Sequence, residues 1–251
     1  NFLKNDKGFY PFLRNRVTFP IFNSSGKTIG FGGRVTDDSM PKYLNSKDSK
    51  FFNKTRELYG FNNAKKDHKT DDFIVTEGYM DVVMLSEYGI NNAVASLGTA
   101  FSQNHMSSMF KLRRKITFCF DSDEAGLKAA WRALQISLKH VIDDKTVRFL
   151  FLPEGYDPDS FVKEKGEQEF YKKLDRAMVL ESFAFQYLKR GKKLDSPEDI
   201  RQIIFEFKKL LPLVTSEMLK ETLMTKFSSE LNINKEILLK EDKPEKKTYV
   251  K

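Results

Sequence analysis

The amino-acid sequence predicts an α/β fold, a parallel sheet flanked by helices, with a β-rich α+β segment before it and a helical bundle behind. Three observations carry this expectation. Four short apolar runs, FIVTEG, AVASLG, KITFCF and VRFLFLP, alternate with longer amphipathic stretches. Strands of that length separated by helices of ten or more residues are the mark of a parallel sheet covered on its faces. Behind about residue 165 the apolar spacing becomes helical throughout, and acidic residues gather where the strand-like runs end.

Taken in order, RVTFPIFNSSGKTIGFGGRV reads as two strands joined by a Ser-Ser-Gly turn. Pro20 lacks a ladder donor and places its strand at an edge. A polar, irregular stretch follows, TDDSMPKYLNSKDSKFFNKTRELYGF, and Arg34, Lys42, Lys54 and Arg56 lie close together along the chain. FIVTEG is then a strand and YMDVVMLSEYG a helix stopped by Gly89. AVASLG is the second strand of this unit, SQNHMSSMFKL its second helix, and KITFCF the third strand. DEAGLKAAWRALQISLKH is a long amphipathic helix and VRFLFLP a fourth strand, after which no further strand is expected. FYKKLDRAMVLESFAFQYLKR, SPEDIRQIIFEFKKLLPLV and SEMLKETLMTKFSSEL have helical spacing and suggest a small bundle. KEDKPEKKTYVK reads as a charged linker. No internal repeat is visible.

With 251 residues, 40% hydrophobic and 31% charged, the chain suits one large globular domain or a domain with an appendage. No apolar run approaches the roughly 18 residues that span a bilayer. The start, NFLKNDKGFYPF, lacks the apolar core of a signal peptide, and the missing initiator Met suggests a piece of a longer protein. A net charge of +8 favours a polyanionic partner, with a merely solvated lysine-rich surface as the alternative. The single Cys119 lies in an apolar run, so it reads as a packing residue in a protein of the reducing cytosol. One Cys and three scattered His leave no structural zinc cluster within these residues.

The carboxylates carry the chemistry. Open parallel sheets bind ligands beyond the carboxyl ends of their strands. Glu77 ends FIVTEG, with Asp81 one turn into the next helix; Asp121 and Asp123 end ITFCF; Asp157 and Asp159 follow VRFLFLP. Each group has a plain explanation: Asp121 with Glu124 as a helix cap pair, YDPDS as a turn and cap, Glu77 as a strand-end charge. Crowded at one sheet edge, however, they repel one another and raise each other's pKa unless a cation intervenes. All-oxygen donors without His or Cys favour Mg²⁺ or Mn²⁺, and metals so held suit phosphoryl transfer. On this reading Asp121 and Asp123 are metal ligands.

EGYMDV followed by DSDEAG resembles the Toprim module of primases, topoisomerases and some nucleases. RVTFPI with IGFGGR, PKYLNS and EGYDPDS narrow the resemblance to the catalytic core of the bacterial replicative (DnaG-type) primases, from about Arg14 to Phe161. The likeness implies synthesis of RNA primers on single-stranded DNA from nucleoside triphosphates, in the bacterial cytoplasm at the replication fork. It implies Glu77, Asp121 and Asp123 as catalytic groups and Glu77, Asp81, Asp121, Asp123, Asp157 and Asp159 as ligands of Mg²⁺ or Mn²⁺. Arg34, Lys42, Tyr43, Asn45 and Lys54 match the family's ridge for nucleotide and template. The family's zinc ribbon and helicase-binding module are expected outside this sequence, and DSD stands where the family often has DGD. The implied division is 1–70 as part of the basic N-terminal core subdomain, 71–165 as the Toprim domain, 166–240 as a helical subdomain and 241–251 as a linker. A Toprim nuclease or topoisomerase, or a non-catalytic nucleic-acid module, is the alternative; a nuclease lacks the GGR and PKYLNS elements, and a topoisomerase needs a strand-cleaving tyrosine.

Overall fold

A computed structural model describes residues 2–6, 8–142 and 144–239; the expected linker at 241–251 lies outside the described residues. The chain opens with a hairpin of β1 (Phe2–Asn5) and β2 (Gly8–Pro11), then a three-stranded antiparallel sheet of β3 (Arg16–Phe22), β4 (Thr28–Val35) and β5 (Tyr43–Asn45). The β3–β4 turn closes as its sequence suggests. Asn23 Oδ1 accepts the Ser25 and Lys27 N–H groups at 3.1 and 2.9 Å, and Gly26 takes φ +83°. β3 is an edge strand, as Pro20 requires. β5 was not visible in the irregular stretch; three residues are too few for an alternation pattern.

A short α1 (Phe61–Ala64) leads into the alternating region: β6 (Asp72–Thr76), α2 (Tyr79–Glu87), β7 (Ala93–Ala95), α3 (Gln103–Phe110), β8 (Lys115–Phe120), α4 (Glu124–Ser137), β9 (Thr146–Phe151) and α5 (Pro158–Asp175). β6, β7, β8 and β9 pair in parallel, in the order β9-β8-β6-β7. Two expectations need correction. A tenth strand, β10 (Met178–Val179), pairs antiparallel with β9 through Met178 opposite Phe149 and Val179 opposite Arg148, so the sheet is mixed and strands do not stop at 165. The stretch read as one helix from Phe170 is therefore two, α5 and α6 (Leu180–Lys189), separated by this edge strand. Two residues within helical apolar spacing give no local sign of a strand; the open edge of β9 supplies it.

α7 (Pro197–Lys208), α8 (Glu217–Leu231) and α9 (Lys235–Leu239) complete the described fold. Alternation along the strands divides the core between the two faces of the sheet. Phe73, Val75, Phe118 and Phe149 pack on one face with α3, α4 and the bundle residues Phe183, Phe207 and Phe227. Ile74, Cys119 and Leu150 pack on the other with Val82 and Leu85 of α2 and Phe161 and Phe170 of α5. Cys119 is fully buried, in keeping with a packing role. With both faces covered, the carboxyl edge of the sheet is where polar chemistry can be displayed. No helix among the described residues is long and apolar enough to cross a membrane.

Candidate active site

The acidic residues converge at that edge. Glu77 follows β6, and its Oε1 accepts the Asp121 N–H at 3.1 Å, tying the ends of β6 and β8 together. Asp81, in the first turn of α2, accepts the Gly78 N–H at 3.0 Å. Asp123 is the N-cap of α4, its Oδ1 accepting the Gly126 N–H at 2.7 Å, so the cap is this pair and not Asp121 with Glu124. Asp157 caps α5 by accepting the Ser160 N–H at 2.8 Å, and Asp159 lies in the first turn. Capping and site building thus use the same carboxylates.

A cleft of about 450 Å³ is lined by the carboxylates Glu77, Asp81, Asp121, Asp157 and Asp159 together with Arg34, Lys42, Tyr43 and Asn45. Asp123 lines an adjoining cavity of about 620 Å³ with Asp121, Asp157 and the 154–156 loop. Lys54 is not in the lining of either; it sits half-buried on the 53–57 loop. Ten of the eleven predicted residues are therefore brought together, and one is not.

The acidic wall is strained electrostatically. Asp81 is only 9% exposed, and burial pushes it up to about 7, with the charges of Asp157, Asp121 and Asp159 adding to the effect. Glu77 and Asp121 are also raised, by burial first and then by neighbouring carboxylates. Asp159 is raised by burial and Asp157, with Lys163 and Arg34 pulling against them. Hard oxygen donors held in mutual repulsion fit a hard divalent cation. Among the described residues no three His, Cys, Asp or Glu side chains stand ready to enclose one ion.

Comparison with known proteins decides the family. Residues 2–65 match the DNA primase catalytic core, N-terminal domain, and residues 74–162 match the Toprim-like family. The solved Escherichia coli primase catalytic core superposes with a TM-score of 0.87 at 40% identity, covering 93% of this chain and 75% of that one. The chain belongs to the DnaG-type bacterial DNA primases. A primase domain from Pseudomonas aeruginosa gives a TM-score of 0.88 at 42% identity, covering 94% of this chain and 75% of its own. A DnaG primase catalytic domain solved bound to single-stranded DNA gives 0.84 at 40% identity, covering 91% and 74%. The Legionella pneumophila DNA primase is 42% identical over 99% of this chain and 44% of its own length. The chain spans about 40% of the E. coli DNA primase.

Within this primase core the basic side of the cleft is built by residues that the sequence reading passed over. Arg16 donates to the carbonyls of Pro41 at 2.7 Å and Lys42 at 3.3 Å, holding the PKYLNS segment. Tyr79 packs its ring against Phe19, Tyr43 and Tyr59 at centroid distances of 5.0–5.3 Å. Its hydroxyl, Arg34 Nε and Asn45 Oδ1 are enclosed without a hydrogen-bond partner, three unsatisfied polar atoms on residues lining one cleft. Gly126 was also missed. A Cβ there would lie 2.2 Å from the Asp121 carbonyl oxygen and 2.9 Å from Glu77 Oε1, so α4 can begin against the end of β8 only without a side chain. The signal was present as a glycine inside a helical pattern.

Proposed function

We propose that this chain is the nucleotidyl-transferring core of a primase, which joins ribonucleoside triphosphates into short RNA primers on a single-stranded DNA template. The observation that carries this reading is the cleft itself, about 450 Å³ lined by five carboxylates together with Arg34, Lys42, Tyr43 and Asn45. In the reaction the primer 3′-hydroxyl attacks the α-phosphorus of the incoming triphosphate and pyrophosphate leaves. Mg²⁺ or Mn²⁺, held by Glu77, Asp81, Asp121, Asp123, Asp157 and Asp159, would supply charge neutralisation for the attacking and leaving oxygens. Arg34 and Lys42 bind triphosphate or template phosphate, and the half-buried Arg34 is limited in its motion, so it orients its ligand as well as binding it. Tyr43, 39% exposed, offers a ring for a base to stack on, and Asn45 a polar edge for sugar or base. Lys54, outside the cleft lining, contacts backbone phosphate. The net charge of +8 attracts the template in a salt-dependent manner.

In the whole protein, by family resemblance, a zinc-bearing template-sensing module and a helicase-binding module belong to segments outside residues 1–251, and the work is done in the cytoplasm at the replication fork. The test is primer synthesis on single-stranded template with the four ribonucleoside triphosphates and Mg²⁺ or Mn²⁺. Short RNA products from the parent, lost in Glu77→Gln and Asp121→Asn, are expected. Template nicking without RNA synthesis would replace this reading with a nuclease.

A further inference from the structure

The loop between β7 and α3 makes contacts that the proposed chemistry does not use. Ser102 Oγ donates to the Thr55 carbonyl at 2.6 Å, and Thr99 Oγ1 to the Lys54 carbonyl at 3.3 Å. His105 is fully buried, and its Nδ1 accepts the Ser102 N–H at 3.2 Å, which in the neutral imidazole leaves the proton on Nε2. Nε2 is enclosed near the main chain of Lys54 and Glu57 without a completed hydrogen bond. The 53–57 loop is itself a tight turn, with Asn53 Oδ1 accepting the Thr55 N–H at 2.9 Å and its hydroxyl at 2.7 Å. Its carbonyls at Lys54 and Thr55 are the groups that the β7–α3 loop holds. The same β7–α3 loop takes the Asn45 Nδ2 hydrogen bond on the Leu97 carbonyl at 3.1 Å, and its Ser96 and Gly98 form part of the cleft wall. One loop of the Toprim sheet thus anchors both basic segments.

We infer that Thr99 and Ser102 are positioning residues for Lys54, fixing the 53–57 loop by its carbonyls so that the lysine ammonium meets phosphate beside the cleft. The inference rests on the proposed role of Lys54 as a phosphate contact. A lysine on a free loop must give up backbone as well as side-chain freedom when it binds; anchoring the loop in advance removes the first cost.

The experiment is a double-mutant cycle on the 251-residue chain, read as oligothymidylate affinity by fluorescence anisotropy. Thr99→Val and Ser102→Ala should each weaken binding about three- to fivefold, the loss of one modest hydrogen bond. Thr99→Ser, which keeps the hydroxyl, should bind as the parent does. In a Lys54→Ala background neither change should weaken binding further. Ser102 also caps α3, so Thr99→Val, which touches no cap, carries the test if Ser102→Ala folds poorly. Equal weakening in both backgrounds, or parental affinity in both single variants, overturns the positioning role. Parental affinity of Lys54→Ala alone removes the phosphate contact itself and the inference with it.

Discussion

Gly126→Ala would place a methyl group where the start of α4 meets the end of β8. The added Cβ would sit 2.2 Å from the Asp121 carbonyl oxygen, a main-chain atom, so the gap must open by about 0.8 Å to reach 3.0 Å. Alanine is the better helix former by about 0.5–1 kcal/mol. Overpacking against backbone costs about 1–3 kcal/mol, so the clash wins and the chain loses about 1–2 kcal/mol. For a chain of this size that lowers Tm by roughly 2–8 °C. The larger effect is on chemistry, because Asp121 and Glu77 both border the added atom and a displacement near 1 Å can cost about a hundredfold in rate. Primer synthesis at saturating template and triphosphate should fall by about 10²-fold while oligothymidylate binding persists. Gly191→Ala is the control: Gly191 has φ +69° and nothing within 4 Å, so it should lose stability without losing rate. If Gly126→Ala retains parental rate, the close approach of α4 does not set the Asp121–Glu77 geometry.

Glu77→Gln and Asp121→Asn should each abolish primer synthesis in Mg²⁺ with Tm unchanged or slightly higher, since each relieves carboxylate repulsion; activity near the parent's in either would remove that residue from the metal site. Arg34→Ala and Lys42→Ala should weaken nucleotide or template binding by about 1.5–3 kcal/mol, Lys42 at the lower end because it is exposed, as measured by titration with a triphosphate and with oligothymidylate. Asp81, raised to about 7, keeps a proton in the folded state that the unfolded chain has lost above about 4, so its contribution to stability falls as pH rises from about 4 to 7. His105, lowered to about 4, works in the opposite sense as pH falls from about 6.5, so the two offset each other in the parent. The difference in metal-free stability between Asp81→Asn and the parent isolates Asp81; it should grow in favour of the variant by on the order of 2–4 kcal/mol between pH 4 and 8, and a level difference would refute the assignment. Mg²⁺ should raise the parent's Tm more at pH 8 than at pH 6.

Features that depend on neighbours along the chain were legible in the residues alone. Apolar runs of six, such as KITFCF, became strands because burial on both faces needs no distant information, and Ser102, Asp157, Ser196 and Ser216 all cap the helices they precede. The six carboxylates were legible because the ends of parallel strands share one edge, so a residue's place relative to its strand fixes its place in space. The remaining features depend on contacts between distant segments. β10 exists because β9 has an open edge beside it, β5 because β4 does, and neither segment is long enough to announce itself. Asp123 rather than Asp121 caps α4, a choice of one residue that depends on how closely the helix approaches the strand through Gly126. Tyr79 looked like the first residue of a helix; it borders the cleft because three aromatic rings from β3, β5 and the segment before α1 close around it. Lys54 matched its motif yet does not line the cleft, and Thr99 holds its carbonyl. Residues 45 positions apart meet there, and no local pattern encodes that distance.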